Sequence, residues 1–347
     1  MSPFSQTKSR FYDWQLLDNI PDAVGFAGSF AGVSNGALIV AGGANFPNNG
    51  APWLGSRKIW YDDIFVLKAP SGKWERVGRL PRPLGYGISI TTKEGIIFIG
   101  GSNGEGHYAD VYMLIYENGN IEVKKMPSLP LTLANGSGAL VNGHVYVVGG
   151  LLNPDDQVTQ KTLFSLDLEN IDKGWKQLSD LPGPSRMLAV AAAVKNTFYV
   201  FSGTQLTDGK RNYLKDGYSY SDKEGWKRLK DMPYATVAAP SPTFSDTDAV
   251  YILGGDDGTM ANSDLREKHP GFSTHILEFN LRKREWSIEG KIPIDQKEDA
   301  AENPNNSVWA PVTTTMAVWE NKIVLPGGEV RPATRTPRVR AVTFRKK

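Results

Sequence analysis

A short apolar run closing on two small residues occurs six times along the chain: ALIVAGG (37–43), GIIFIGG (95–101), HVYVVGG (144–150), TFYVFSG (197–203), AVYILGG (249–255) and KIVLPGG (322–328). The first small residue of each pair falls at 42, 100, 149, 202, 254 and 327, giving spacings of 58, 49, 53, 52 and 73. Self-similarity at about 40–50 residues per unit, stretched by loops, is the signature of small sheets repeated around an axis. A single unit of that kind cannot bury its own apolar face, so neighbouring units must cover it. Paired small residues at a fixed place fit a sharp turn that needs positive φ or close backbone approach.

The rest of each copy follows suit. An alternating run comes after the pair, as in DIFVLKA (63–69), DVYMLIY (110–116), KTLFSLDL (161–168) and THILEFNL (274–281). A tryptophan strand ending in proline comes next: KWERVGRLP (73–81), GWKQLSDLP (174–182), GWKRLKDMP (225–233) and EWSIEGKIP (285–293). In the second copy NIEVKKMP (120–127) holds that place, with Val123 where tryptophan would sit. Strands rich in small residues, such as GYGISITT (85–92) and GSGALVNG (136–143), precede the pairs and suit the crowded inner position. Four strands per copy and six copies predict an all-β fold, a six-bladed kelch-type β-propeller. We read residues 1–347 as one domain, with blades at 22–81, 82–127, 128–182, 183–233, 234–293 and 294–347 plus 11–21.

The last blade is the informative one. The sixth copy has TTTMAVWE (313–320), KIVLPGG and VRAVTF (339–344) but no tryptophan strand, whereas FYDWQLLDNIP (11–21) is such a strand without a copy of its own. Pairing the two is expected to close the last blade with the N-terminal strand, which removes an exposed sheet edge.

Composition narrows the chemistry. The 347 residues include no cysteine, which excludes disulfides, thiolate metal sites and cysteine nucleophiles. A formal charge of +2 gives no reason to expect nucleic acid or an acidic membrane as partner. The first 30 residues hold no signal-like apolar core and no run of about 18 apolar residues occurs. The expected location is therefore cytoplasmic, or periplasmic if an export signal has been trimmed. Composition is silent on oligomeric state.

In such a meander, the loops after the Gly pairs share a face with the loops that enter the next blade. That face gathers Asn45, Ser102, Leu151, Thr204, Asp256 and Glu329, and the long irregular stretches 44–60, 256–272 and 294–312 open there. Loops on a rigid scaffold are where function usually sits. GGEVRPATR (327–335) puts the Glu329 carboxylate and the Arg335 guanidinium in one loop, as a surface ion pair or as part of a site. Asp256-Asp257 lacks accompanying ligand spacing and reads as a polar turn. The four histidines share no motif, so no metal site is expected. GSNGEG (101–106) joins two strands rather than opening a helix, so it is no phosphate loop.

GFAGSFAGVSNGALIVAGGANF (25–46), YDDIFVL (61–67) and GGEVRPATR resemble the N-acetylneuraminate epimerases, or sialic acid mutarotases. The resemblance runs in rotated order, with LANGSGALVNGHVYVVGG onward matching that family's leading blades, and is strongest to the cyclically permuted branch. It implies interconversion of the α- and β-anomers of N-acetylneuraminate, with Glu329 transferring protons and Arg335 gripping the substrate carboxylate. It further implies substrate contacts at Asn45, Arg57, Lys58, Asn135, Arg186 and Asp256, and no cofactor. Two rival readings follow from the same fold. A non-enzymatic kelch propeller would bind a protein or glycan through this face. A kelch-type copper oxidase needs a cysteine and is excluded, and no Asp-box repeat supports a sialidase.

Overall fold

The computed structural model describes residues 9–345. Blade 1 runs outward as Phe30–Ser34, Ala37–Ala41, Asp63–Leu67 and Trp74–Arg79. Blade 2 is Ile88–Thr91, Ile96–Ile99, Val111–Glu117 and Asn120–Met126. Blade 3 is Ser137–Val141, His144–Val148, Leu163–Asp167 and Lys176–Gln177, and blade 4 is Val190–Val194, Thr197–Phe201, Gly217–Ser221 and Gly225–Arg228. Every pairing within these sheets is antiparallel.

Blade 5 keeps three regular strands, Ala249–Leu253, His275–Asn280 and Glu285–Lys291. Its inner run carries Pro240 and Pro242, which have no N–H to give a ladder. Piecemeal bonds replace the ladder: Thr243 Oγ1 donates to Tyr251 O at 2.5 Å, and Tyr251 N–H to Phe244 O at 2.9 Å.

Blade 6 joins the chain ends. Ala317–Trp319, Lys322–Pro326 and Val339–Phe344 are completed by Phe11–Leu17, in the order expected from the unpaired tryptophan strand. Phe11 pairs with Phe344 and Leu17 with Val339, across one irregularity between Tyr12 and Gln15. Arg10, just before this strand, is buried and reaches into blade 5, where its guanidinium meets Glu278, Glu289 and Asp246.

Adjacent blades share apolar cores. Ile39 and Ile64 of blade 1 pack with Ile96 and Phe98 of blade 2, and Tyr251 of blade 5 packs with Ile323 and Val342 of blade 6. Fully burying one such side chain is worth about 1.5–3 kcal/mol. The tryptophans also staple blades together. The indole N–H of Trp74 donates to Asp18 O, of Trp175 to Pro127 O, of Trp226 to Ser179 O and of Trp286 to Lys230 O, at 2.8–3.0 Å. Each acceptor lies at the outer edge of the preceding blade, which explains why the residue recurs in that strand.

The Gly pairs serve the same joints. A Cβ on Gly42, Gly100 or Gly149 would run into the carbonyl of Leu84, Leu133 or Arg186 on the chain entering the next blade. In blade 4 Ser202 replaces the first glycine, and its hydroxyl accepts the Thr236 N–H at 2.7 Å from the next blade.

A closed loop of backbone hydrogen bonds surrounds the axis. The N–H groups of Gly28, Tyr86, Asn135, Leu188, Ala238 and Thr313 each donate to the carbonyl of the same position one blade back, at 2.7–2.9 Å, and Gly28 completes the circle onto Thr313. All six residues adopt left-handed φ, between +51° and +68°.

Candidate active site

A cavity of about 840 Å³ opens over this axial circle. The side chains of Tyr86, Asn135, Leu188, Ala238 and Thr313 form its floor. Loops 44–60 and 256–272 line it, as does an extra hairpin, Thr204–Thr207 with Lys210–Tyr213, inserted in blade 4. The loops brace one another. Trp53 Nε1 donates to the Glu267 carboxylate, while Arg331 donates to Glu267 O at 2.7 Å and to Ala301 O at 3.3 Å. Arg331 is buried over Trp309, and burial lowers its pKa.

The residue after each Gly pair bridges to the residue just before the axial position: Ala44 with Ala27, Ser102 with Gly85, Asp256 with Val237 and Glu329 with Val312. That pairing sets Glu329 beside the floor. The strands Glu329–Arg331 and Thr334–Arg335 then form a hairpin in which Glu329 is the cross-strand partner of Arg335. A spacing of six residues is thus a register, and it brings carboxylate and guanidinium together.

Glu329 is half-buried. Its Oε1 accepts the Ala333 N–H at 2.9 Å and lies 3.2 Å from Arg335 Nη1. Arg335 is 2% exposed, lies 4.9 Å from the Phe46 ring centre and donates from Nη2 to the Tyr86 hydroxyl at 3.2 Å. Burial works against its charge, but Glu329 and Tyr86 outweigh this and hold its pKa above the ordinary arginine value. Asp256 accepts from Tyr213 at 2.9 Å, and the Tyr213 phenol is pushed up to about 12 by burial and by Asp256. Burial lowers the pKa of His269, also in the lining, and its Nδ1 takes the Gly271 N–H at 3.1 Å.

The structure brings Glu329, Arg335, Lys58, Asn135 and Asp256 around one cavity, and it leaves Asn45, Arg57 and Arg186 out of the lining. Asn45 is buried one residue beyond the position that bridges to the floor. Strand alternation turns it away, onto Gly25 O at 3.0 Å and the Tyr61 hydroxyl at 2.9 Å. Arg57 is exposed, while the next residue, Lys58, turns inward over Tyr86. Arg186 is fully buried, forked onto Asp216 at 3.0 and 2.9 Å and onto Ser202 O at 2.8 Å. It is an inter-strand tie rather than a substrate contact. Replacing Arg186 by Ala strands the Asp216 carboxylate and is expected to cost about 3–5 kcal/mol in urea unfolding.

Arg335 Nη2 donates to Tyr86, while Nε and Nη1 are buried without a hydrogen-bond partner among the described residues, Nη1 lying 3.2 Å from Glu329 Oε1.

The model of the N-acetylneuraminate epimerase family matches residues 5–123 and 126–347. The chain belongs to that family. It is 28% identical over 236 residues to the N-acetylneuraminate epimerase of Haemophilus influenzae (strain PittEE), covering 60% of this chain and 57% of that one. Similarity to the N-acetylneuraminate epimerase of Salmonella enteritidis PT4 is higher but shorter, 37% over 109 residues, covering 29% and 28%. A kelch domain-containing protein of Vibrio cholerae is 27% identical over 247 residues, 65% of each chain. The match thus spans just over half the length of the Haemophilus relative. Glu329, Arg335, Lys58 and Asp256 are the charged cavity groups that sequence reasoning singled out, and the cavity adds Tyr86 to them.

Proposed function

We infer that this chain interconverts the α- and β-anomers of N-acetylneuraminate by opening and reclosing the hemiketal ring. The observation that carries the reading is Glu329 at the cavity floor. One carboxylate oxygen is held by Ala333 N–H and Arg335, and the other has no partner among the described residues. A carboxylate so fixed can take the proton of the anomeric hydroxyl and return it after the ring has opened. Arg335 acts as a positioning residue for it.

Lys58 is the cation suited to the substrate carboxylate. Half-buried, it stands 4.9–5.8 Å from the ring centres of Phe46, Trp60 and Tyr86, a partly dry setting that strengthens an ion pair. Lys58→Met is expected to raise the Kd for N-acetylneuraminate about 10–100-fold by calorimetry. That corresponds to losing a hydrogen bond to a charged group worth about 1.5–3 kcal/mol.

The deciding measurement is NMR of freshly released α-anomer with and without the protein, scored as acceleration over spontaneous exchange. No acceleration would turn the assignment to the propeller that only binds. The rotated order of the resemblance belongs to this reading, since a ring cut elsewhere gives a collinear comparison only partial coverage.

A further inference from the structure

Opening a hemiketal needs two proton-handling groups, one to take the proton of the anomeric hydroxyl and one to protonate the departing ring oxygen. Glu329 supplies only the first. Among the other cavity groups, Tyr213 commits its proton to Asp256 at 2.9 Å, and His269 uses Nδ1 to accept the Gly271 N–H at 3.1 Å. Lys58 is occupied with the substrate's charge in the reading above. Tyr86 is different. Its oxygen accepts from Arg335 Nη2 at 3.2 Å, and its own proton has no acceptor among the described residues.

The phenol is also built in. Tyr86 shares the left-handed φ of the axial circle, at +60°. Its N–H donates to Gly28 O and its carbonyl accepts from Asn135, both at 2.8 Å, so the axial circle pins the backbone on both sides. Its ring lies over Gly28, where a Cβ would come within 2.7 Å of Cδ1. Arg335 joins this phenol to Glu329 through the two ends of one guanidinium, each at 3.2 Å. A base and a proton donor are thereby held on either side of a single cation.

We propose that Tyr86 is the second catalytic residue, the acid that protonates the ring oxygen while Glu329 takes the proton of the anomeric hydroxyl. The inference rests on the mutarotase reading. On opening, Glu329 gains the proton of the anomeric hydroxyl, the bond between anomeric carbon and ring oxygen breaks, and that oxygen takes the Tyr86 proton. The anomeric carbon is then a ketone. On closure the freed hydroxyl attacks either face of the ketone, its proton returns to the Tyr86 oxygen, and Glu329 gives its proton to the former carbonyl oxygen. Both groups end as they began.

Tyr86→Phe keeps the ring over Gly28 and removes only the hydroxyl. Full-length protein with this change is expected to lose about 10²–10⁴-fold in kcat for α-to-β exchange by NMR, with the Kd for N-acetylneuraminate within about twofold of wild type. Because Phe also frees Arg335, a second protein carries 3-fluorotyrosine at 86, which keeps shape and hydroxyl but changes proton-donating strength. A changed kcat at constant Kd supports the role. Wild-type kcat in either protein, while wild type itself accelerates exchange, overturns the Tyr86 proposal and leaves the mutarotase reading standing. No acceleration by wild type overturns both.

Discussion

Glu329→Gln is expected to slow catalysed anomer exchange by about 10²–10⁴-fold while leaving the fold and substrate affinity close to wild type. The substitution keeps size and planarity, so the hairpin register with Arg335 and the Ala333 N–H contact survive. What disappears is the ability to accept a proton, which an amide oxygen has only feebly. Glu329→Asp is the complementary case, because it keeps the charge but retracts it from the floor. Here an intermediate rate is expected. NMR exchange spectra and thermal unfolding of both proteins check the claim together. A wild-type rate in Glu329→Gln would reduce the pair to a structural tie across its hairpin.

A chain beginning at Asp18 is expected to lose cooperative folding altogether rather than fray at one end. Removing the strand Phe11–Leu17 uncovers the Val339–Phe344 edge and withdraws Phe11 from a cluster with Phe244, Tyr251 and Phe344. Losing Arg10 as well leaves Glu278, Glu289 and Asp246 crowded without their cation. Breaking such a buried ion pair costs about 3–5 kcal/mol, and each large apolar side chain adds about 1.5–3. Those losses are comparable to the entire stability of a typical domain, about 5–15 kcal/mol. Circular dichroism should show an unfolded or aggregated chain, and a peptide of residues 9–21 supplied in excess should restore the transition by mass action. An unchanged melting curve for the shortened chain would show that the ring holds without its closing strand.

Much of this was readable in the sequence because it repeats. The Gly pairs and tryptophans recur since each makes a joint between neighbours, and a joint needed six times leaves a period. The Glu329–Arg335 partnership was readable for a local reason, as six residues across a tight hairpin fix a register. What failed was the sorting of polar residues beside that face. Arg186 reads as a free cation until Asp216, thirty residues on and just before the third strand of blade 4, is seen to take it. Asn45 and Ala44 differ by one step of strand alternation, which a loop sequence does not display. Tyr86 escaped notice although a signal existed. The axial residue lies fifteen positions before the second small residue of the pair in five blades, as Tyr86 does before Gly101, and seventeen before in blade 5. Only the fold gives that offset a meaning.

The circle of backbone bonds at the axis has a consequence for how such a protein can be re-specified. Because each of the six axial residues spends its N–H and its carbonyl on its neighbours, the backbone offers a ligand nothing at these positions. Recognition from below is left to the five side chains that blades 2 to 6 supply, because blade 1 carries Gly28 at this position. The left-handed backbone there sets the permitted alphabet, favouring glycine, asparagine and aspartate and resisting β-branched residues. Thr313 shows that the resistance can be overcome. Exchanging Asn135 or Leu188 is therefore expected to alter the ligand that fits without reopening the ring.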